Sequence, residues 1–232
     1  MGAFRRIFVV AALAGLIAGL LSTAAHHFGT AAIIAKAEVF EKAAEATGAA
    51  TDAAPGADHE HGAAAWEPED GLQRTAYTAL ADVLTGIGFA LLLVSAYAFS
   101  GAAVDWRRGL YWGLAAFATF TLAPGLGLPP EVPGTSAAPL LDRQIWWVAT
   151  AVATGGGLAA IFLGRRAAWV VGGIVLIVLP HLIGAPQPAE HSSAAPESLA
   201  HQFIVAAVVT SLLFWLVLGS LTGFLYKRIA AA

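Results

Sequence analysis

The chain has 232 residues, of which 58% are hydrophobic and only 12% charged, with a formal net charge of −3 and no cysteine. A soluble domain carries roughly a quarter charged residues to keep its surface wet, so this composition excludes a compact water-soluble body. The missing thiols exclude disulfides, iron–sulfur clusters, cysteine nucleophiles and thiolate metal sites together.

Crossing a bilayer takes about 20 residues of helix, because roughly 30 Å of hydrocarbon is covered at 1.5 Å per residue. Six apolar runs approach or meet that length, at about 7–25, 78–99, 109–128, 145–164, 167–183 and 203–226. The second contains Asp82, and the fifth is short and carries His181 near its end. In hydrocarbon every backbone amide must be bonded within its own segment, so such runs are helices. The predicted fold is an all-α integral membrane protein, one membrane domain over residues 1–232 built as a bundle of about six transmembrane helices. The first run also fits a cleavable signal peptide, with Arg5 and Arg6 before it and small residues Ser22 to Ala25 at its end; cleavage leaves five spans. Against cleavage, Ala11, Gly15 and Gly19 at spacing four make a helix-packing face. Gly109 with Gly113, and Gly219 with Gly223, repeat that spacing. A faint internal echo relates the second and third helices to the fourth and fifth.

Charge is sorted along the chain. Eight of the 12 basic residues form four pairs, Arg5–Arg6, Arg107–Arg108, Arg165–Arg166 and Lys227–Arg228, which fall on one side of a six-span protein. The excess of Lys and Arg in short loops marks that side as cytoplasmic, with both termini there. Of the 15 acids, 13 lie in the three opposite loops, and all seven histidines lie in those loops or at the outer helix ends.

The outer segment 26–76 is acidic and rich in candidate ligands. His26 and His27 stand where the first helix leaves the membrane. Glu38 follows with Glu41 and Glu45 on a helical stretch predicted to continue from it. His59 and His61 sit in an Ala-, Gly- and Asp-rich loop from Thr47 to Ala65, and Asp70 stands just before the second span. Imidazole nitrogen and carboxylate oxygen suit Co²⁺, Ni²⁺ or Zn²⁺, and ligand type alone does not rank these metals. Asp82 is the costly residue, since a carboxylate inside a membrane helix is unfavourable by roughly 2.5–3.5 kcal/mol on insertion scales and is by default functional. Its alternative is a plain polar contact to a neighbour such as Arg74. His181 follows Pro180, whose missing N–H and bulky ring loosen a helix and can expose carbonyls to an ion; a proline simply ending a short helix is the other reading. Pro124 with Gly125 offers a second interruption. The expected path runs from recruitment at His59 and His61, through an entrance site of His26, His27, Glu38 and Asp70, to Asp82 with His181. No P-loop, H-E-x-x-H or G-x-S-x-G motif occurs. No enzyme activity, cofactor or nucleic-acid partner is therefore expected, and membrane lipid is the surrounding medium.

One order of motifs is distinctive: Phe4-Arg5-Arg6, Ala37-Glu38 with Glu41, Trp66-Glu67-Pro68-Glu69-Asp70-Gly71 with Arg74-Thr75, Leu122-Ala123-Pro124-Gly125-Leu126-Gly127-Leu128-Pro129-Pro130-Glu131-Val132-Pro133-Gly134, Arg143-Gln144-Ile145-Trp146-Trp147, and Leu179-Pro180-His181-Leu182-Ile183-Gly184-Ala185-Pro186. In these blocks the chain resembles the CbtA family of predicted cobalt transporter subunits. The resemblance implies a bacterial inner-membrane protein with five or six spans that imports Co²⁺ for cobalamin synthesis. It also implies a small one-helix partner, CbtB, with a histidine-rich segment. It carries no ligand set. The inner halves of the helices hold few polar residues. That favours either a partner or homo-oligomer completing the pathway, or an alternative role as a metal-binding accessory or scaffold subunit that does not itself conduct the ion.

Overall fold

The computed structural model describes residues 2–51, 68–101, 103–164 and 166–230. Eight α-helices follow in order: α1 Ala3–Phe28, α2 Ala31–Thr51, α3 Leu72–Ser100, α4 Trp106–Phe117, α5 Ala123–Gly127, α6 Leu140–Leu163, α7 Ala167–Ile183 and α8 Glu197–Ala230. A π-helical turn, Ala118–Leu122, joins α4 to α5, so that 106–127 forms one span. The described residues contain no strand; Thr135 and Ser193 form an isolated antiparallel bridge. The fold is thus an all-α membrane bundle. Five helices are long and apolar enough to cross a bilayer, and α7, with 17 residues, is the shorter sixth. At 1.5 Å per residue α7 reaches about 25 Å, so it crosses only if the bilayer thins beside it or the chain flanking it helps.

The helices run several residues beyond the apolar runs that predict them. Helix propagation does not stop where hydrocarbon ends: α3 begins at Leu72 and α8 at Glu197, both among polar residues. Gly101, with φ 63°, ends α3 in the left-handed conformation that glycine adopts without a Cβ penalty. Asp105 then starts α4 by accepting the Arg108 backbone N–H at 3.1 Å. That bond is the largest influence holding the Asp105 carboxyl below the usual carboxylate range, with Lys227 and Arg108 adding attraction.

Glycine sets the packing. An α1–α3 pair, an α4–α8 pair and an α6–α7 hairpin form, with α1 also lying along α8. A Cβ added at Gly86 of α3 would stand 2.5 Å from the Gly15 carbonyl oxygen of α1. One at Gly219 of α8 would meet Gly109 O at 2.5 Å and Gly113 Cα at 2.8 Å, and one at Gly173 of α7 would meet Gly157 O at 2.5 Å. Lipid is as apolar as leucine, so helices in a bilayer associate by close van der Waals contact, which small residues permit. The α1 face turned toward α3 and α8 is well buried: Val10, Ala11, Ala14 and Ala18 are fully inaccessible. At the N-terminal end of α1, the Arg6 guanidinium lies 4.7 Å from the centre of the Tyr226 ring and donates to its hydroxyl at 3.2 Å. α1 is therefore a central element, and its removal would open the core.

Two expectations change. α2 does not continue α1: the chain breaks at Gly29–Thr30, and the Thr30 carbonyl accepts from Ile33 and Ile34 to start a new helix. α2 instead crosses the end of the bundle, where Ala37 packs with Val132 and Ala195 from the two Pro-containing loops and with Leu199 in the first turn of α8. The internal echo finds no structural support either, because α6 packs directly on α7 whereas α3 packs on α1 and α4 on α8.

The glycine seams generate a stability prediction. Gly219→Val forces a side chain into the α4 backbone and should cost about 1–3 kcal/mol or more, seen as a clearly lower thermal midpoint in detergent. Gly156→Ala, where an added Cβ meets nothing within 4 Å, should leave the midpoint within a degree or two of wild type, that is about 0.5 kcal/mol.

Candidate functional site

A cavity of about 940 Å³ opens at the acidic end of the bundle, between α1, α2, α3, the π turn and α8. Three features build it: a carboxylate held at depth, a hydroxyl-bearing wall, and an aromatic floor.

Asp82 lies ten residues into α3, about 15 Å along its axis. It reaches across the glycine seam to α1, where Gly19 lets the helices approach closely enough that an added Cβ would stand 2.5 Å from Val83 Cα. The Thr23 hydroxyl donates to Asp82 Oδ2 at 2.9 Å, and His26 Nδ1 lies 3.1 Å from the same oxygen. The Asp82 side chain is 14% exposed and that of His26 36%, both toward the cavity. The contact that satisfies this membrane carboxylate thus comes from α1, with His26 and Thr23 as its partners.

At the mouth, the Arg74 guanidinium donates to Glu38 of α2 at 2.6 and 3.3 Å and to Asp70 at 3.0 Å. Glu38 and Asp70 are therefore assembled around a cation already present in the chain. Counting Lys42, the described charged groups lining the cavity carry a net −1 with the histidines neutral, and among them the acidic group not paired with Arg74 is Asp82.

The floor is formed by Phe89, Phe120, Phe214 and Trp215. Phe89 and Trp215 have ring centres 4.7 Å apart, and Phe120 stacks on Trp215 at 5.7 Å with planes only 12° apart. Just above it, Thr121 and Ser211 hydroxyls are bonded at 2.8 Å, and Trp215 Nε1 donates to Thr121 Oγ1 at 3.3 Å. Thr121 belongs to the π turn, and Pro124 accounts for that turn. Proline has no N–H for the Phe120 carbonyl and its ring crowds it; the Ala123 N–H bonds Ala118 O instead, a wider loop of five residues. Such π-bulges occur often at functional sites. Beneath the floor the core is mostly apolar, with Ala90, Leu93, Val94 and Leu218 buried and the Tyr97 and Thr222 hydroxyls bonded to each other at 3.0 Å.

The predicted site residues separate accordingly. His26, His27, Glu38, Asp70 and Asp82 all line the cavity. They are not one ligand cluster: His26 goes with Asp82, while Glu38 and Asp70 go with Arg74. His181 is not brought to Asp82. It stands edge-on to Trp146, ring centres 5.9 Å apart, in the α6–α7 hairpin, where Trp146 also donates to the Pro180 carbonyl at 3.3 Å. His59 and His61 lie outside the described residues. Among the described residues, no group of three or more His, Asp or Glu is close enough to hold a metal ion. Sequence reasoning missed Thr23, Thr121, Ser211 and the aromatic floor. The Pro124 interruption was the one signal pointing toward the π turn.

The Arg74–Glu38 pair fastens α2 to α3 across the mouth. Because it is partly exposed it should contribute only about 0.2–1 kcal/mol. Arg74→Met should therefore speed amide exchange along α2 by roughly two- to fivefold at unchanged global stability, readable by hydrogen–deuterium exchange.

A family model described as "Probable cobalt transporter subunit (CbtA)" matches residues 4–227. No curated protein and no solved structure matches the chain. The family match runs through every helix that lines the cavity and through the π turn, and the chain belongs to the CbtA family.

Proposed function

We propose that the chain is the membrane-embedded subunit of a Co²⁺ importer and that its cavity is the outward-facing vestibule for the ion. The observation that carries this reading is Asp82: a carboxylate about 6 Å inside the apolar run that begins near residue 78, held by Thr23 and His26 and facing a large cavity open at the acidic end. An isolated charge there would be expensive and is retained where it serves an ion path. The acidic end raises the local cation concentration, the mouth groups meet the ion first, and Asp82 with His26 receives it at depth. Nitrogen and oxygen donors suit Co²⁺, with Ni²⁺ and Zn²⁺ as chemical neighbours. The dibasic pairs support an inner-membrane orientation with both termini in the cytoplasm, and the family resemblance links the imported ion to cobalamin synthesis.

A second reading has its own support. Among the described residues the aromatic floor and the mostly apolar core below it offer few polar groups beyond the Tyr97–Thr222 pair, which suits a metal-binding accessory that hands its ion to another subunit. The family description names a subunit, and a small His-rich one-helix partner of the CbtB kind would serve in either reading. Proteoliposomes with the chain alone and with that partner separate the two: Co²⁺ uptake by the chain alone identifies a permease, uptake only with the partner a two-part pathway, and no uptake in either sinks the transport role.

Asp82→Asn keeps the size of the side chain and one acceptor oxygen but removes its charge. It should lower Co²⁺ binding and uptake about tenfold or more, equivalent to at least ~1.4 kcal/mol. His181→Ala, whose ring lies against Trp146 outside the cavity, should leave Co²⁺ binding unchanged. Uptake assays with radioactive cobalt check both, and wild-type uptake in Asp82→Asn would remove Asp82 from the path.

A further inference from the structure

We infer that the vestibule takes the divalent cation with its water shell intact, recognising the hexahydrated ion by outer-sphere hydrogen bonds and not by direct metal–ligand bonds. The inference rests on the vestibule reading above and adds the chemical form of the cargo.

Size is the first observation. Six waters at about 2.1 Å from a small divalent ion occupy on the order of 180 Å³, at about 30 Å³ per water. The cavity, at about 940 Å³, admits that hydrate with room to spare. A stripped ion held by protein needs several donors converging at about 2.0–2.2 Å.

The donors present are arranged otherwise. His26 and Thr23 both bond the same oxygen of Asp82, Oδ2, at 3.1 and 2.9 Å. They hold the carboxylate in place, and Oδ1 remains to accept from a coordinated water. Glu38 and Asp70 are engaged by Arg74. Apart from His27 and Lys42, the rest of the polar wall is largely hydroxyl, with Ser22 on α1, Thr85 on α3, Thr121 in the π turn, and Thr210 and Ser211 on α8. Hydroxyls are weak metal ligands but both donate and accept hydrogen bonds. Water bound to a divalent ion is a strengthened donor, and hydroxyl and carboxylate oxygens spread over four elements match the several directions of such a shell. A single fixed negative charge supplies the attraction without the cost of dehydration, which small divalent ions undergo reluctantly.

One consequence concerns selectivity. Outer-sphere recognition reads charge and hydrated size, so the vestibule binds Co²⁺, Ni²⁺ and Mg²⁺ hydrates with similar affinity, and the metal is chosen elsewhere along the path.

Hexaamminecobalt(III), whose ligands do not exchange, tests this on the full chain in nanodiscs. Expected results are displacement of bound Co²⁺ within about an order of magnitude of its own Kd, and bound Co²⁺ that keeps the weak visible band of a six-coordinate aqua ion. Asp82→Asn and Thr121→Val should each weaken both cations in parallel, and the second variant leaves the membrane carboxylate untouched. Bound Co²⁺ that hexaamminecobalt(III) fails to displace, or that shows the intense visible bands of tetrahedral coordination, overturns the inference while leaving the vestibule reading intact. Hexaamminecobalt(III) binding that is unchanged in both variants places it at another site and also overturns the inference. Absence of Co²⁺ binding to wild type overturns the vestibule reading, and the inference with it.

Discussion

The close approach of α1 and α3 is the constraint on which the site depends. Gly15 meets Gly86, Gly19 meets the backbone around Asp82 and Val83, and one and two turns further along α1 the side chains of Thr23 and His26 reach the Asp82 carboxylate. These contacts form one antiparallel register. With a larger residue at either glycine the helices would separate by more than the short threonine hydroxyl can bridge. Packing and chemistry are therefore the same feature: absent side chains on one part of the seam let polar side chains meet on the next. Since lipid offers no hydrophobic drive to hold helices together, the seam also carries much of the association between these two helices.

A second device works by imperfection. Pro124 withholds a backbone N–H and crowds the carbonyl of Phe120, and the helix answers with a π turn. The wider turn places Thr121 beside Ser211 and Trp215 and sets Phe120 flat on Trp215. A polar shelf and an apolar floor thus arise from the same few residues. The cavity ends there, on the aromatic side chains of Phe89, Phe120, Phe214 and Trp215.

Charge divides the molecule along the same axis. At the basic end Arg6 is stacked on Tyr226 and Asp105 caps α4. At the other end Arg74 neutralises Glu38 and Asp70, so most of the acidity of the cavity mouth is internally compensated. What remains is Asp82, deeper and singly charged. In the proposed vestibule role this arrangement would favour passage over trapping, because a site with three free carboxylates would bind a divalent ion too tightly to release it readily.

The all-helical membrane fold, the alternation of basic and acidic ends and the exceptional position of Asp82 were legible in the sequence, because each follows from the cost of placing charge or unpaired backbone in hydrocarbon. That cost depends on composition over a single helix and needs no knowledge of neighbours. The glycine spacings were legible for the same reason, as small residues on one face, although their partners were not. Which groups meet was decided only in three dimensions. His181 and Asp82 both read as polar interruptions of apolar helices, yet one lies against Trp146 in the α6–α7 hairpin and the other against α1. Glu38 and Asp70 read as free acids until Arg74 is seen between them. Thr23, Thr121 and Ser211 carry no signal in sequence, since a hydroxyl in a membrane helix can bond its own backbone at little cost. Only the register between helices, set by how closely their backbones can approach, turns such residues into the wall of a site.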